Sequence, residues 1–150
     1  MSKISIIAVG KLPSEYAQIL KHFMQMLGNS IELHEIVTKK NINGPEIKEH
    51  EAEAISAKFT PSDYVILLDP VGHKFDSYEF AEYFRKTHDN NGKICFIIGG
   101  AWGVSDKIKT RANKTLSLSD LTFPHMLARI ILIEQIYRAK SIINNHPYHK

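Results

Sequence analysis

Two stretches, YVILL at residues 64–68 and ICFII at residues 94–98, are almost wholly apolar. A strand with apolar side chains on both faces must be covered on both, as in a parallel sheet with helices above and below. The rest of the chain supplies such cover. Residues 3–9 form a β-branched run ended by Gly10, and residues 14–27 read as an amphipathic helix. Residues 31–37 alternate as a half-buried strand, with Ile31, Leu33 and Val37 set against Glu32, His34 and Glu35. Residues 38–44 are polar and read as a mobile loop, and Pro45 suits the first turn of a helix running to about Phe59. Asp69-Pro70-Val71-Gly72 breaks the first apolar stretch, and Asp76 with Glu79 is spaced as a capping pair for the next helix. Residues 89–92, DNNG, signal a turn. Ser105 can cap a short helix, and residues 116–118 form a brief strand. The last helix opens near Pro124, where the missing N–H costs nothing, and extends to about Ile143. This alternation predicts an α/β fold with a mostly parallel sheet flanked by helices, as one domain over residues 1–150.

Composition narrows the function classes. No apolar run approaches the roughly 20 residues of a membrane helix, and MSKISIIAVGK lacks the shape of a signal peptide. A cytoplasmic protein without a membrane partner is expected. The one cysteine, Cys95, lies inside an apolar strand and reads as a buried small hydrophobe. Among the eight histidines only His146 and His149 are close neighbours, with no acid or thiol beside them, so no metal site is expected. A net charge of +3 is compatible with a polyanionic partner but too mild to establish one.

Ligands of parallel α/β sheets bind beyond the carboxyl ends of the strands, so the loops after Leu68, Ile98 and Leu118 are the places for chemistry. The loop Gly99-Gly100-Ala101-Trp102-Gly103 allows close approach to backbone, but it matches neither G-x-G-x-x-G nor a Walker A motif. By itself it is a tight turn as readily as a ligand cradle. Residues 119–123 could wrap an adenine face; Leu121 and Phe123 could equally staple the following helix, which is the simpler reading of that loop alone. That helix is apolar nearly all round, more than a 150-residue domain is expected to enclose, and this predicts a two-fold homodimer. Of its charges Glu134 and Arg138 are spaced to pair, whereas Arg129 has no evident partner on the helix. The terminal residues HPYHK gather groups that stack on bases and contact phosphate; a tail packed on its own domain is the alternative.

Six segments occur in order: AVGK at residues 8–11, Leu68-Asp69 with Gly72, IIGGAWGVS at 97–105, LSLSDLTFPH at 116–125, ILIEQIYRA at 131–139, and the terminal PYHK. Together they resemble the SPOUT-class knotted methyltransferases that act on a pseudouridine of large-subunit ribosomal RNA. The resemblance implies a trefoil-knotted α/β homodimer that uses S-adenosylmethionine to methylate N3 of a pseudouridine in 23S RNA on the assembled ribosome. Such a knot is a topology that general rules would reject. Carried over by residue, the cofactor site comprises Leu68, Gly99 and the loop Leu118, Ser119, Asp120, Leu121, Thr122 and Phe123, with Gly100 and Gly103 as additions. His73 and Asp120 depart from the family pattern. Within this frame Arg129 is expected to stabilise the developing anion and His149 to handle the proton. Arg138, Tyr148, His149 and Lys150 are expected to contact RNA.

Two rivals remain at this level. One is an RNA-binding protein that has lost the cofactor, against which the intact loops argue. The other is a flavodoxin-like or dinucleotide-binding enzyme, which needs a phosphate cradle after the first strand; Gly10-Lys11-Leu12-Pro13 is a poor one.

Overall fold

The two apolar stretches lie side by side at the heart of the molecule. The computed structural model describes residues 3–38, 42 and 44–150. Its strands are β1 (Ile4–Val9), β2 (Ile31–Ile36), β3 (Tyr64–Lys74), β4 (Ile94–Ile98) and β5 (Lys114–Ser117). Its helices are α1 (Ser14–Leu27), α2 (Ile47–Ser56), α3 (Ser77–Asn90), α4 (Asp106–Arg111) and α5 (His125–Ile143), with one 3-10 turn at Gly28–Ser30. The sheet order is β2-β1-β4-β3-β5, and every pairing is parallel. β1 and β4 pair from Ile4 opposite Ile94, and β4 pairs with β3 from Ile94 opposite Tyr64. Both β1 and β4 are buried along their whole length. The polar segment 38–44, expected to be a mobile loop, falls largely outside the described residues.

The two sheet faces carry separate cores. On one, Ile6, Phe96 and Ile66 meet α1, α3 and α5 through Leu20, Phe84 and Ile133. On the other, Ile7, Ile97 and Leu67 meet α2 and α4 through Ile55 and Ile108. β3 therefore leads to a helix on one face and its neighbour β4 to a helix on the other. Chains that part in this way leave a crevice at the strand ends, where α/β proteins bind ligands.

Four sequence expectations are corrected. β3 does not end at Leu68: Asp69–Gly72 bulges out, and the strand pairs with β5 again at His73 and Lys74. Leu68 and His73 both face Leu116, so four residues leave the ladder without ending it. Gly72 makes this possible, because a Cβ there would stand 2.7 Å from the backbone of Thr115 and Leu116. Val37 lies beyond β2 and is exposed, while Ile36 supplies the buried apolar contact on the opposite face. The helix after Pro45 is shorter than expected, because Pro45 and Glu46 form a turn before Ile47. The apolar α5 is largely covered within one chain, lying against α1 and α3 with Leu132, Ile133 and Ile136 fully buried. No helix among the described residues is long and apolar enough to cross a membrane.

The capping signals match the structure, whereas α3 runs on through Asp89 and Asn90, the first half of the expected turn, and β5 begins two residues before Leu116. The Asp76 carboxylate accepts from the Glu79 N–H while the Glu79 side chain accepts from the Asp76 N–H, closing a capping box. The Ser105 hydroxyl accepts from the Ile108 N–H at the start of α4. Cys95 is fully buried, and that burial pushes its thiol up to about 11, so it stays a neutral core group.

Candidate active site

A cavity of about 470 Å³ opens in the crevice at the ends of β3, β4 and β5. That lies within the range of roughly 300–1,000 Å³ typical of small-molecule sites. Three chain segments wall it: Leu68-Asp69-Pro70 from the β3 bulge, the glycine turn after β4, and residues 116–125 from β5 into α5. The walls are mostly apolar side chains and exposed backbone, a surface suited to a flat heteroaromatic ring whose edge is read by peptide groups.

The glycine turn is tightly made. Gly100 and Gly103 form a bridge, with the Gly103 N–H donating to the Gly100 carbonyl at 3.0 Å. A Cβ on Gly99 would stand 2.8 Å from Val104 Cγ1, so only glycine keeps that backbone against the cavity. The loop after β5 is braced from within: the Ser117 hydroxyl donates to the Ser119 carbonyl, and Ser119 Oγ accepts from the Leu121 N–H.

Of the cofactor residues expected from the sequence, Leu68, Gly99, Gly100, Gly103, Leu118, Ser119, Leu121, Thr122 and Phe123 line this cavity. Asp120 does not line it. Its carboxylate is 82% exposed and ion-paired with Lys74 on β3, so it ties the loop to the bulged strand. Leu121 is 72% exposed, which sets aside the reading of it as a staple for α5.

The expected catalytic and RNA-contacting side chains lie elsewhere. Arg129 is only 1% exposed and does not line the cavity. It donates to Glu35 Oε2 at 2.7 Å and to the carbonyls of Val9 and Gly10, fastening α5 to the ends of β1 and β2. Charge stabilisation at a reaction centre requires a guanidinium facing the cavity; this one is spent on the scaffold. The same Glu35 carboxylate accepts from the Leu12 N–H, so one acid also sets the turn into α1.

The tail folds back on its own chain. Tyr148 donates to Glu134, lies under the Arg138 guanidinium and meets Tyr137 edge-on. His149 Nδ1 is 2.9 Å from Arg138, with the ring set edge-on to Tyr78. Arg138 also pairs with Glu134 one turn back, and Lys150 is exposed with no ion pair among the described residues. The ring of Tyr148 is thus occupied, and its role in one chain is to anchor the tail. Glu134 and Arg138 stand roughly 9 and 15 Å along α5 beyond Ala128, the last residue of that helix to line the cavity, at about 1.5 Å per residue. Cavity and tail of one chain are therefore separate places.

Two residues not singled out by the sequence reading stand in the cavity wall or directly behind it. His125, the first residue of α5, lines the cavity, and its buried Nδ1 has no partner among the described residues. Burial, then the nearby Arg129 charge, hold its pKa below the usual value, so the ring is neutral at physiological pH. It packs close to Gly10, where a Cβ would come within 3.3 Å of its Cε1. Glu51 on α2 lies behind the glycine turn, its Oε2 buried without a partner and 3.3 Å from where a Gly100 Cβ would be. Desolvation raises its pKa. The sequence held one clue to Glu51, an acid beside Ala52 and Ile55 on the apolar face of α2; His125 gave none beyond its place in TFPH. No cluster of metal-ligating side chains occurs among the described residues.

Comparison with known proteins places this architecture. The family model described as "Predicted SPOUT methyltransferase" matches residues 2–149. A ribosomal RNA large subunit methyltransferase H of Pseudothermotoga lettingae is 43% identical over 98% of this chain and 99% of its own. Proteins of the same name from Acholeplasma laidlawii and Oleidesulfovibrio alaskensis are 41% and 37% identical, each over 99% of both chains. A match along essentially the whole length, with the cavity walled by the segments that the resemblance singles out, leaves one assignment: the chain belongs to the SPOUT methyltransferase family.

Proposed function

We propose that this protein is a cytoplasmic, single-domain enzyme that transfers a methyl group from S-adenosylmethionine to N3 of a pseudouridine in large-subunit ribosomal RNA. It works as a knotted homodimer on the assembled ribosome. The observation that carries the reading is the cavity at the ends of β3, β4 and β5, whose walls are glycine backbone and a polar-to-apolar loop. The matched relatives are named as ribosomal RNA large subunit methyltransferases, which supports RNA as the acceptor.

The residues fit such a cofactor. Gly99 and Gly100 let the turn pack tightly on Val104, Val9 and Glu51 and so put its backbone in the cavity wall, Leu118, Leu121 and Phe123 offer apolar surface for the adenine, and Leu68 stands on the β3 wall. When bound, S-adenosylmethionine supplies a methyl group already activated on a sulfonium. The protein's task is to align acceptor and donor and exclude water, so positioning provides much of the rate. A neutral His125 adds no positive charge beside a cationic cofactor. Arg129, through Glu35 and the Val9 and Gly10 carbonyls, holds the start of α5 where the cavity needs it.

The acceptor nitrogen must lose a proton. His149, hydrogen-bonded to Arg138, is the group we assign to that proton, with Tyr148 and Lys150 holding the tail and the RNA. The separation of tail and cavity along α5 supports a dimer in which one protomer's tail serves its partner's cavity.

The test is transfer of labelled methyl groups to naked ribosomal RNA, free large subunits and whole ribosomes in parallel. The label is expected at N3 of a pseudouridine, with whole ribosomes the best acceptor. Absence of transfer to all three, together with no calorimetric binding of S-adenosylmethionine, overturns the reading in favour of a cofactor-free RNA-binding protein.

A further inference from the structure

Three of the exposed large apolar side chains gather at the mouth of the cavity. Each of its three walls carries one large apolar side chain turned to solvent: Val71 on the β3 bulge, Trp102 on the glycine turn, and Leu121 on the loop before α5. Trp102 is 56% exposed and has no aromatic or cationic partner among the described residues. It is the only tryptophan of the chain. The turn holding it is braced by the bridge between Gly100 and Gly103, so the indole is presented from fixed backbone. Its neighbours Ala101 and Gly103 both line the cavity. An indole held this way beside a ligand-sized cavity offers a broad flat face on which a ring can stack.

The charges around it point to a polyanion. Lys107 and Lys109 on α4, a few residues beyond the turn, are exposed and unpaired among the described residues; the acids near the turn are Asp106 on α4, Asp69 in the cavity wall and Glu51, whose carboxyl is buried behind the turn with its pKa raised by desolvation. An aromatic platform beside free lysines is how proteins hold single-stranded nucleic acid, since every base has a face to stack and every link a phosphate.

Resting on the function proposed above, we propose that Trp102 stacks on a base of the RNA strand next to the target nucleotide, with Lys107 and Lys109 against the flanking phosphates. This holds the strand splayed so that the target base enters the cavity. The occupant of this rim is RNA, not a second copy of the chain.

Three variants test it: Trp102→Ala, Trp102→Leu and Trp102→Phe. Methyl transfer is measured against ribosome concentration, and equilibrium binding of labelled large-subunit RNA is measured separately. Loss of a stacked base costs about 1–3 kcal/mol, so Trp102→Ala and Trp102→Leu should weaken RNA binding and raise KM for ribosomes by about 5- to 150-fold. Trp102→Phe should restore most of the loss. Calorimetric affinity for S-adenosylmethionine should stay unchanged in all three. Wild-type-like RNA binding and KM in Trp102→Ala overturn the proposal, as does full rescue by leucine, which offers apolar area without a π face. A second-copy occupant would shift the emission of this one tryptophan as the protein is diluted through dimer dissociation, and that result also overturns it. A wild-type protein that binds cofactor and methylates RNA while the variants match it defeats the stacking role alone. A wild type with no transfer and no RNA binding defeats both.

Discussion

Gly72 and Gly92 offer a controlled comparison at the scale of a single residue. Both stand near turns, yet a Cβ on Gly72 would overlap β5 backbone at 2.7 Å, and one on Gly92 meets nothing within 4 Å. Backbone in a paired strand has little room to retreat, so Gly72→Ala is expected to destabilise by about 3 kcal/mol, at the high end of overpacking costs. Gly92→Ala should stay within about 0.5 kcal/mol. Urea midpoints measured at constant m would check both; a tolerated Gly72→Ala would mean that β5 is free to move. The sequence marked Gly72 as part of a break in the chain. It could not show that the residue lies hard against the β5 backbone, because that contact joins residues some 40 positions apart. Arg129 follows the same pattern. Its lack of a partner on α5 was legible, but Glu35 on β2, 94 residues away, was not.

Elements were legible where the signal is local. The Asp76 and Glu79 pair, the Ser105 cap and the start of α5 at Pro124 were all read from neighbours in sequence. The capping box makes a direct prediction: Asp76→Ala removes the acceptor for the Glu79 N–H and should cost about 1 kcal/mol. That corresponds to a fall of roughly 2–4 °C in Tm for a chain of this size. A thermal scan showing no change would mean that water replaces the cap fully. β3 was misread for the opposite reason. Asp69-Pro70 is an ordinary strand terminator, and only pairing with β5 beyond the bulge makes residues 73 and 74 part of the strand. The segments that wall the cavity were picked out by the order of motifs along the chain; their glycines and serines alone allowed an ordinary turn.

Across the whole molecule, two acid–base groups near the cavity, the buried Glu51 and the half-buried His125, give stability opposing pH trends. Glu51 has its pKa raised by desolvation, so the native state holds its proton more tightly than the unfolded chain. Stability from this group is greatest at low pH and is lost as pH rises from about 4.5 through the folded value. His125 has its pKa lowered, so the unfolded chain takes up its proton first, and stability falls as pH drops below about 6.5. Glu51→Gln should therefore flatten the decline above pH 4.5 and leave the histidine-linked fall intact. Unfolding midpoints from pH 4 to 8 would check this; an unchanged profile would show that Glu51 finds a partner in solution. A mostly parallel sheet between helices was legible from the alternation of strand and helix patterns, with YVILL and ICFII marking strands covered on both faces; the structure makes every pairing parallel. Enclosure of α5 was not, because apolar pattern says how much surface needs covering and not whether the cover comes from the same chain.

The clamp of Arg129 on the ends of β1 and β2 has a consequence for biosynthesis. The first strand leaves the ribosome early, yet the turn that follows it is completed by a side chain 120 residues later. The cavity likewise needs the loop before α5 for its third wall. A nascent chain that has not yet reached β5 lacks the third wall altogether, so the cavity forms in one late step, once residues 116–125 can dock beside the β3 bulge and the glycine turn.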